Sequence, residues 1–211
     1  DLFAMYQRED GMIYDFAHKI EPGEMFHYEW RMPEGYCRRS DEDSIIFARQ
    51  MVENDLEHQF IRGLHHAWQA TGDDAWMAGH LDAALKAMEF SRTSPYFWSE
   101  KFQLLKRPYT VDTWDFQSNF DAERVGGDIM LATLEDTIYG VMHGDNTGMA
   151  DSCRMLAQMC RHAGRREDAR RAEAFADHLQ TTLDELAWNG EYYTHHVSED
   201  PSFERDFGVD E

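Results

Sequence analysis

Apolar residues recur with helical spacing in four stretches of the chain. Leu56, Phe60, Leu64 and Trp68, with Ile61 beside them, make one helix face. Asn54-Asp55 offers capping chemistry ahead of it, and Gly72 offers the stop. Met77, Leu81, Ala84, Leu85 and Met88 make a second face behind Asp73-Asp74. The turn "ATGDDAW" between the two is short, so the helices are expected to lie antiparallel as a hairpin. The arrangement returns downstream. Met149, Cys153, Leu156 and Cys160 form one stripe, "HAGRREDA" the turn, and Ala169, Ala172, Ala176, Leu179, Leu183 and Leu186 the next stripe. The two hairpins are too far apart for a tandem array of units of about 34 residues, in which one hairpin follows the last directly.

The remaining sequence has a different texture. Residues 92–147 carry "SPYFWSEKFQLLKRPYTVDTWDFQ", "ERVGGD" and "IMLATLEDTIYGVMHGDNTG" without a sustained helical stripe. "WNGEYYTHHVSED", residues 188–200, reads as a short β-hairpin turning at Asn189-Gly190. The first forty residues, with "DGMIYDF" and "GEMFHYEWRMPEGY", are again loop-like and aromatic. Long irregular stretches inside a compact domain are usually functional. The pattern predicts an all-α fold of helical hairpins, with short turns on one side. Long aromatic, acidic loops and short β-hairpins on the other side would line a shared cleft.

Composition narrows the function classes. At 211 residues and 42% apolar content, the chain can bury the core of a single domain spanning 1–211. A formal charge of -21 opposes binding to a phosphate backbone, so nucleic acid is not expected as a partner. No run of about eighteen apolar residues is present, so no membrane span is expected. The start, "DLFAMYQRED", shows neither an initiator Met nor a secretory signal, and its abruptness suggests that residues precede it. Cys37, Cys153 and Cys160 lack metal-type spacing and read as reduced core thiols, which favours a cytoplasmic setting. Aromatic residues make up 13% of the chain, many of them in loops, which suggests a surface that grips ring-shaped ligands. No P-loop, G-x-G-x-x-G, G-x-S-x-G or H-E-x-x-H motif occurs. No cofactor is expected.

Four stretches carry a family resemblance: "ARQMVENDLEHQFIRGLHHAWQATGDDAWMAGHLDAALKAMEF", "LLKRPYTVDTWDF", "HGDNTGM" and "LAWNGEYYTHHV". Together they resemble the six-hairpin, or (α/α)6-toroid, glycosidases: glucoamylase-like enzymes and their amylo-α-1,6-glucosidase or processing α-glucosidase relatives. The first is similar to the family's substrate loop and hairpin, the second to the segment bearing its general acid. The third and fourth are similar to a later sugar-binding loop and hairpin. The resemblance spans residues 45–200 and implies the central part of a toroid. The family's catalytic base comes from a later loop with no counterpart here, so a remainder of the same domain is expected to complete the site.

Glycosidic cleavage needs one protonated carboxyl for the leaving oxygen and a second carboxylate to activate water or attack the sugar. The resemblance implies Asp115 as the general acid. Trp114 and Phe116 flank it, an apolar setting that raises a carboxyl pKa. Asp112 would orient it or accept a sugar hydroxyl. The plain alternative is that both aspartates make turn hydrogen bonds. Arg49, Asp55 and Glu57 match the loop that holds glycone hydroxyls, although Asp55 also reads as a helix cap. Asp145 and His143 in "HGDNTG" are candidate sugar contacts, with Asp145 or Asn146 capping the helix that follows. Tyr14, Trp30, Trp98, Tyr109 and Trp114 are candidate stacking platforms. His65-His66 and His195-His196 point to different faces of their elements, and the acidic and amide oxygens of "HGDN", which could hold Ca²⁺, lack EF-hand spacing, so no metal site is expected.

The expected activity is therefore hydrolysis of an α-linked glucoside or related oligosaccharide, most simply with inversion. Two rivals stand beside it. One is a tetratricopeptide-like interaction scaffold, supported by "HAGRREDARRAEAFADHL". The other is a sugar epimerase or lyase using His143 or His196.

Overall fold

The computed structural model describes residues 1–108, apart from 22, 27, 28, 30, 31, 41 and 43, together with 134, 135 and 137–200. Tyr109, Asp112, Trp114 and Asp115 lie outside the described residues, as does Trp30.

The helical stripes form the helices they predict. A short α1 (Leu2–Tyr6) opens the chain. Helix α2 (Leu56–Thr71) buries Ile61, Leu64 and Trp68, and α3 (Asp74–Thr93) buries Met77, Leu81, Leu85 and Met88. Gly72 adopts a left-handed conformation (φ 65°) and its N–H bonds to the Trp68 carbonyl, which closes α2. Asp73 accepts from the Trp76 N–H and opens α3. Helices α4 (His143–His162) and α5 (Arg166–Ala187) form the second hairpin, and α2 packs against both α3 and α4. Each large side chain removed from water between these helices contributes roughly 1.5–3 kcal/mol.

The expectation of an all-α toroid does not hold. About half of the described residues are helical, and strands form three antiparallel sheets. In the first, β3 (Ile45–Ala48) lies between β1 (Phe16–Lys19) and β2 (Cys37–Arg39). In the second, β4 (Trp98–Ser99) pairs with β5 (Leu104–Leu105). The third places β7 (Tyr139–Met142) between β6 (Arg107–Pro108) and β8 (His196–Ser198). The physical reason is visible at "SIIFA". Ile46, Phe47 and Ala48 are buried consecutively in a central strand, a pattern that periodicity alone does not separate from irregular sequence. Among the described residues only four long helices occur, where a toroid has twelve.

Two cores result. One fills the helical layer around Leu81, Leu156 and Leu179. The other lies under the first sheet, where Met12, Tyr14, Tyr36 and Phe47 meet Phe90 and Phe97. Helix α3 serves both, with Met88 in the first and Phe90 in the second. "HGDNTGM" does not precede a helix; it is the first two turns of α4. The segment 188–200 also differs from a simple hairpin. Asn189 Oδ1 accepts from the Glu191 and Tyr192 N–H groups, and Trp188 bridges Tyr193, but β8 pairs outward with β7.

Candidate functional site

Two asparagines build the site by clamping the same strut. Asn54, just ahead of α2, donates from Nδ2 to the Lys106 carbonyl at 2.5 Å. Asn146, in the first turn of α4, accepts the Leu105 N–H at 2.8 Å through Oδ1. Its Nδ2 donates to the carbonyls of Leu105 and Met142, both at 3.0 Å. Both amides are buried, so these bonds hold where water does not compete. Each asparagine has an aspartate as its sequence neighbour. Tying Asn54 and Asn146 to residues 105–106 therefore gathers Asp55 and Asp145 at one corner, beside Arg107.

Asp145 is almost fully buried. Its Oδ1 lies 3.7 Å from Arg107 Nη1, and its Oδ2 has no hydrogen-bond partner among the described residues. Burial pushes its carboxyl up to about 6. Arg107 opposes the shift, and the charges of Asp55 and Glu53 add to it. Asp55 occupies the cap position of α2 yet makes no side-chain cap bond, so its carboxylate is not committed to the helix. A third carboxyl, Asp15, enters from the loop before β1. Its backbone N–H bonds to Ala48, and its side chain accepts from the Gln50 N–H. Burial raises its pKa too, Arg49 opposes, and Asp55 adds to the rise. Asp55 thus interacts with both other carboxyls.

Arg49 and Glu57 sit beneath this corner rather than in it. They form a buried ion pair, with Arg49 Nη1 at 2.5 Å from Glu57 Oε1 and Nη2 at 3.1 Å from Oε2. Arg49 also donates to the carbonyls of Ile13 and Glu53, and its guanidinium stacks 4.5 Å from the Phe97 ring centroid. Their hydrogen bonds hold together the loops carrying Asp15 and Asp55. His143 points elsewhere: its ring stacks on Tyr193 with centroids 5.0 Å apart. Two expected stacking platforms are packed away. Tyr14 lies in the second core with its hydroxyl donating to Gly35, and Trp98 packs on Phe175.

His58 and His196 complete the surroundings. His58 is buried against Gly148 of α4, and burial lowers its pKa. His196 is buried over Gly140, and burial, with His195 and Arg107 nearby, takes its pKa down to about 3. Burial thus disfavours the charged form of both imidazoles.

The structure places Asp55 within electrostatic reach of Asp145 and of Asp15, and sets Arg107 beside Asp145. Asp15 was legible: Tyr14-Asp15-Phe16 has the aromatic-acid-aromatic pattern that singled out Trp114-Asp115-Phe116. Arg107 carried no comparable signal. Asp112, Trp114 and Asp115 fall in the sequence between β6 and β7, outside the described residues. β6 and β7 pair at Arg107↔Gly140. Among the described residues no group of three His, Cys, Asp or Glu could hold a metal, and no helix is long and apolar enough to cross a membrane. Comparison with family models, curated proteins and solved structures found no match to the chain.

Proposed function

We propose that this chain is a glycoside hydrolase that cleaves an α-linked glucoside or related oligosaccharide by carboxyl acid/base chemistry. The observation that carries the reading is the buried Asp145 carboxyl 3.7 Å from Arg107, with Asp55 near enough for its charge to raise both Asp145 and Asp15. Clustered carboxyls with perturbed titration mark sites of proton transfer and of hydroxyl recognition. Asp55, Asp145 and Asp15 accept hydrogen bonds from sugar hydroxyls, and Arg107 donates. Asp115 gives the proton to the leaving oxygen, with Asp112 orienting it and Trp114 and Tyr109 contacting the ring. No cofactor takes part. The buried free thiols Cys153 and Cys160 fit a reducing, cytoplasmic setting.

The test is release of reducing sugar from α-linked gluco-oligosaccharides by the wild-type protein and by Asp115→Asn. The reading expects turnover by the wild type and a loss of at least about 100-fold in the variant, with folding intact. Equal turnover by the two removes Asp115 from the mechanism. Failure of the wild type to bind or cleave any saccharide leaves the scaffold reading instead.

A further inference from the structure

Away from the acidic corner, the end of α3, the β4–β5 turn and the middle of α5 enclose a hollow of about 320 Å³. Its size lies at the small end of the range for small-molecule sites. The floor is Trp98 and Phe175, both buried, with ring centroids 6.0 Å apart. The rim carries Arg92, Arg171, His178 and Gln103, and among the described residues no carboxylate lines it. In a chain with 41 acidic and 20 basic residues, a rim that presents two arginines and a histidine inward, with their paired carboxylates Glu89 and Asp168 held outside the lining, stands out.

The rim is also held in place. Glu89 sits behind both arginines, at 2.7 Å from Arg171 Nη2 and 3.8 Å from Arg92 Nη1, and Asp168 takes Arg171 Nη1 at 3.3 Å. Arg92 lies over the Phe175 ring at 5.4 Å. Gln103 is the only non-glycine described residue with positive φ (55°), a conformation costly for a side-chain-bearing residue. Its carbonyl lies 2.8 Å from His178 Nε2, so the strained turn fixes the imidazole at the rim. Cationic groups oriented from behind, over an aromatic floor, suit an anionic group attached to a compact apolar body.

We propose that this hollow binds a small molecule bearing a carboxylate or phosphate group, with its apolar part on Trp98 and Phe175 and its anion at Arg92, Arg171 and His178. The site is separate from the proposed hydrolytic corner and does not depend on it. Calorimetric titration of the full chain with benzoate and with inorganic phosphate tests it, with the Trp98 indole N–H followed by NMR. Saturable binding in the range of about 1–10 mM is expected, weakened at least about tenfold by Arg171→Gln. Ala174→Glu, which places a carboxylate on the exposed rim, should abolish it and keeps the test open if Arg171→Gln does not fold. Benzoate binding alone identifies a carboxylate ligand, and phosphate binding alone a phosphate ligand. Saturation by neither probe, or binding unchanged by both variants, overturns the proposal.

Discussion

Arg49 Nη1 lies 2.5 Å from Glu57 Oε1 with both side chains shut away from water, and Glu57 Oε1 also accepts the Ile13 N–H at 3.0 Å. The pair ties the loop before β1 and the loop before α2 to the start of α2. Removing one partner leaves the other charge buried alone. Glu57→Gln should therefore lower unfolding stability by about 3–5 kcal/mol, read from the urea midpoint at constant m-value. A loss below about 1 kcal/mol would show that the pair does not organise this region.

Asp145 makes stability depend on pH. Its folded pKa of about 6 lies above the ordinary carboxyl value of 3.8. The folded state therefore binds more protons than the unfolded one between those values. The stability this group contributes is fully present below about pH 4 and is lost as pH rises through about 6. The loss amounts to roughly 3 kcal/mol at 1.36 kcal/mol per pKa unit. Asp145→Asn removes the ionisation and should make the protein more stable than wild type above pH 6, measured by thermal melts from pH 4 to 8. A carboxyl that weakens the fold at neutral pH is better explained by a role in the site than by packing.

Helix α4 carries Gly148 where α2 brings His58 against it. A Cβ built at Gly148 would stand 2.8 Å from His58 Nε2 and 2.9 Å from Cε1. Gly148→Ala should destabilise by about 1–3 kcal/mol through this overlap, even though alanine favours the helix. In a double-mutant cycle, His58→Ala should recover much of the Gly148→Ala loss. Strict additivity would show that the contact is not what the glycine serves.

The four long helices and their turns were legible because each follows from local spacing and capping. Leu56 to Trp68 and Asp73 needed no tertiary information. The sheets were not legible, since β3 pairs with strands that begin 29 residues before it and end six residues before it, and its buried run has no alternation. The aspartates were legible as acids but not in their roles. Asp55 read as a cap and holds that position without a side-chain cap bond, while Asn54 and Asn146, which gather the site, read only as capping residues. Their partners at Leu105 and Lys106 are set by tertiary contact, which no local pattern records.

Asp55 joins fold and function most directly, because it holds the cap position without capping. Asp55→Ala should leave the urea midpoint near wild type, within about 0.5 kcal/mol, where loss of a working cap typically costs about 1 kcal/mol. Its kcat/KM on α-linked gluco-oligosaccharides should nevertheless fall at least about 100-fold. Turnover equal to wild type in a folded Asp55→Ala protein would contradict the assignment of this corner as the saccharide site.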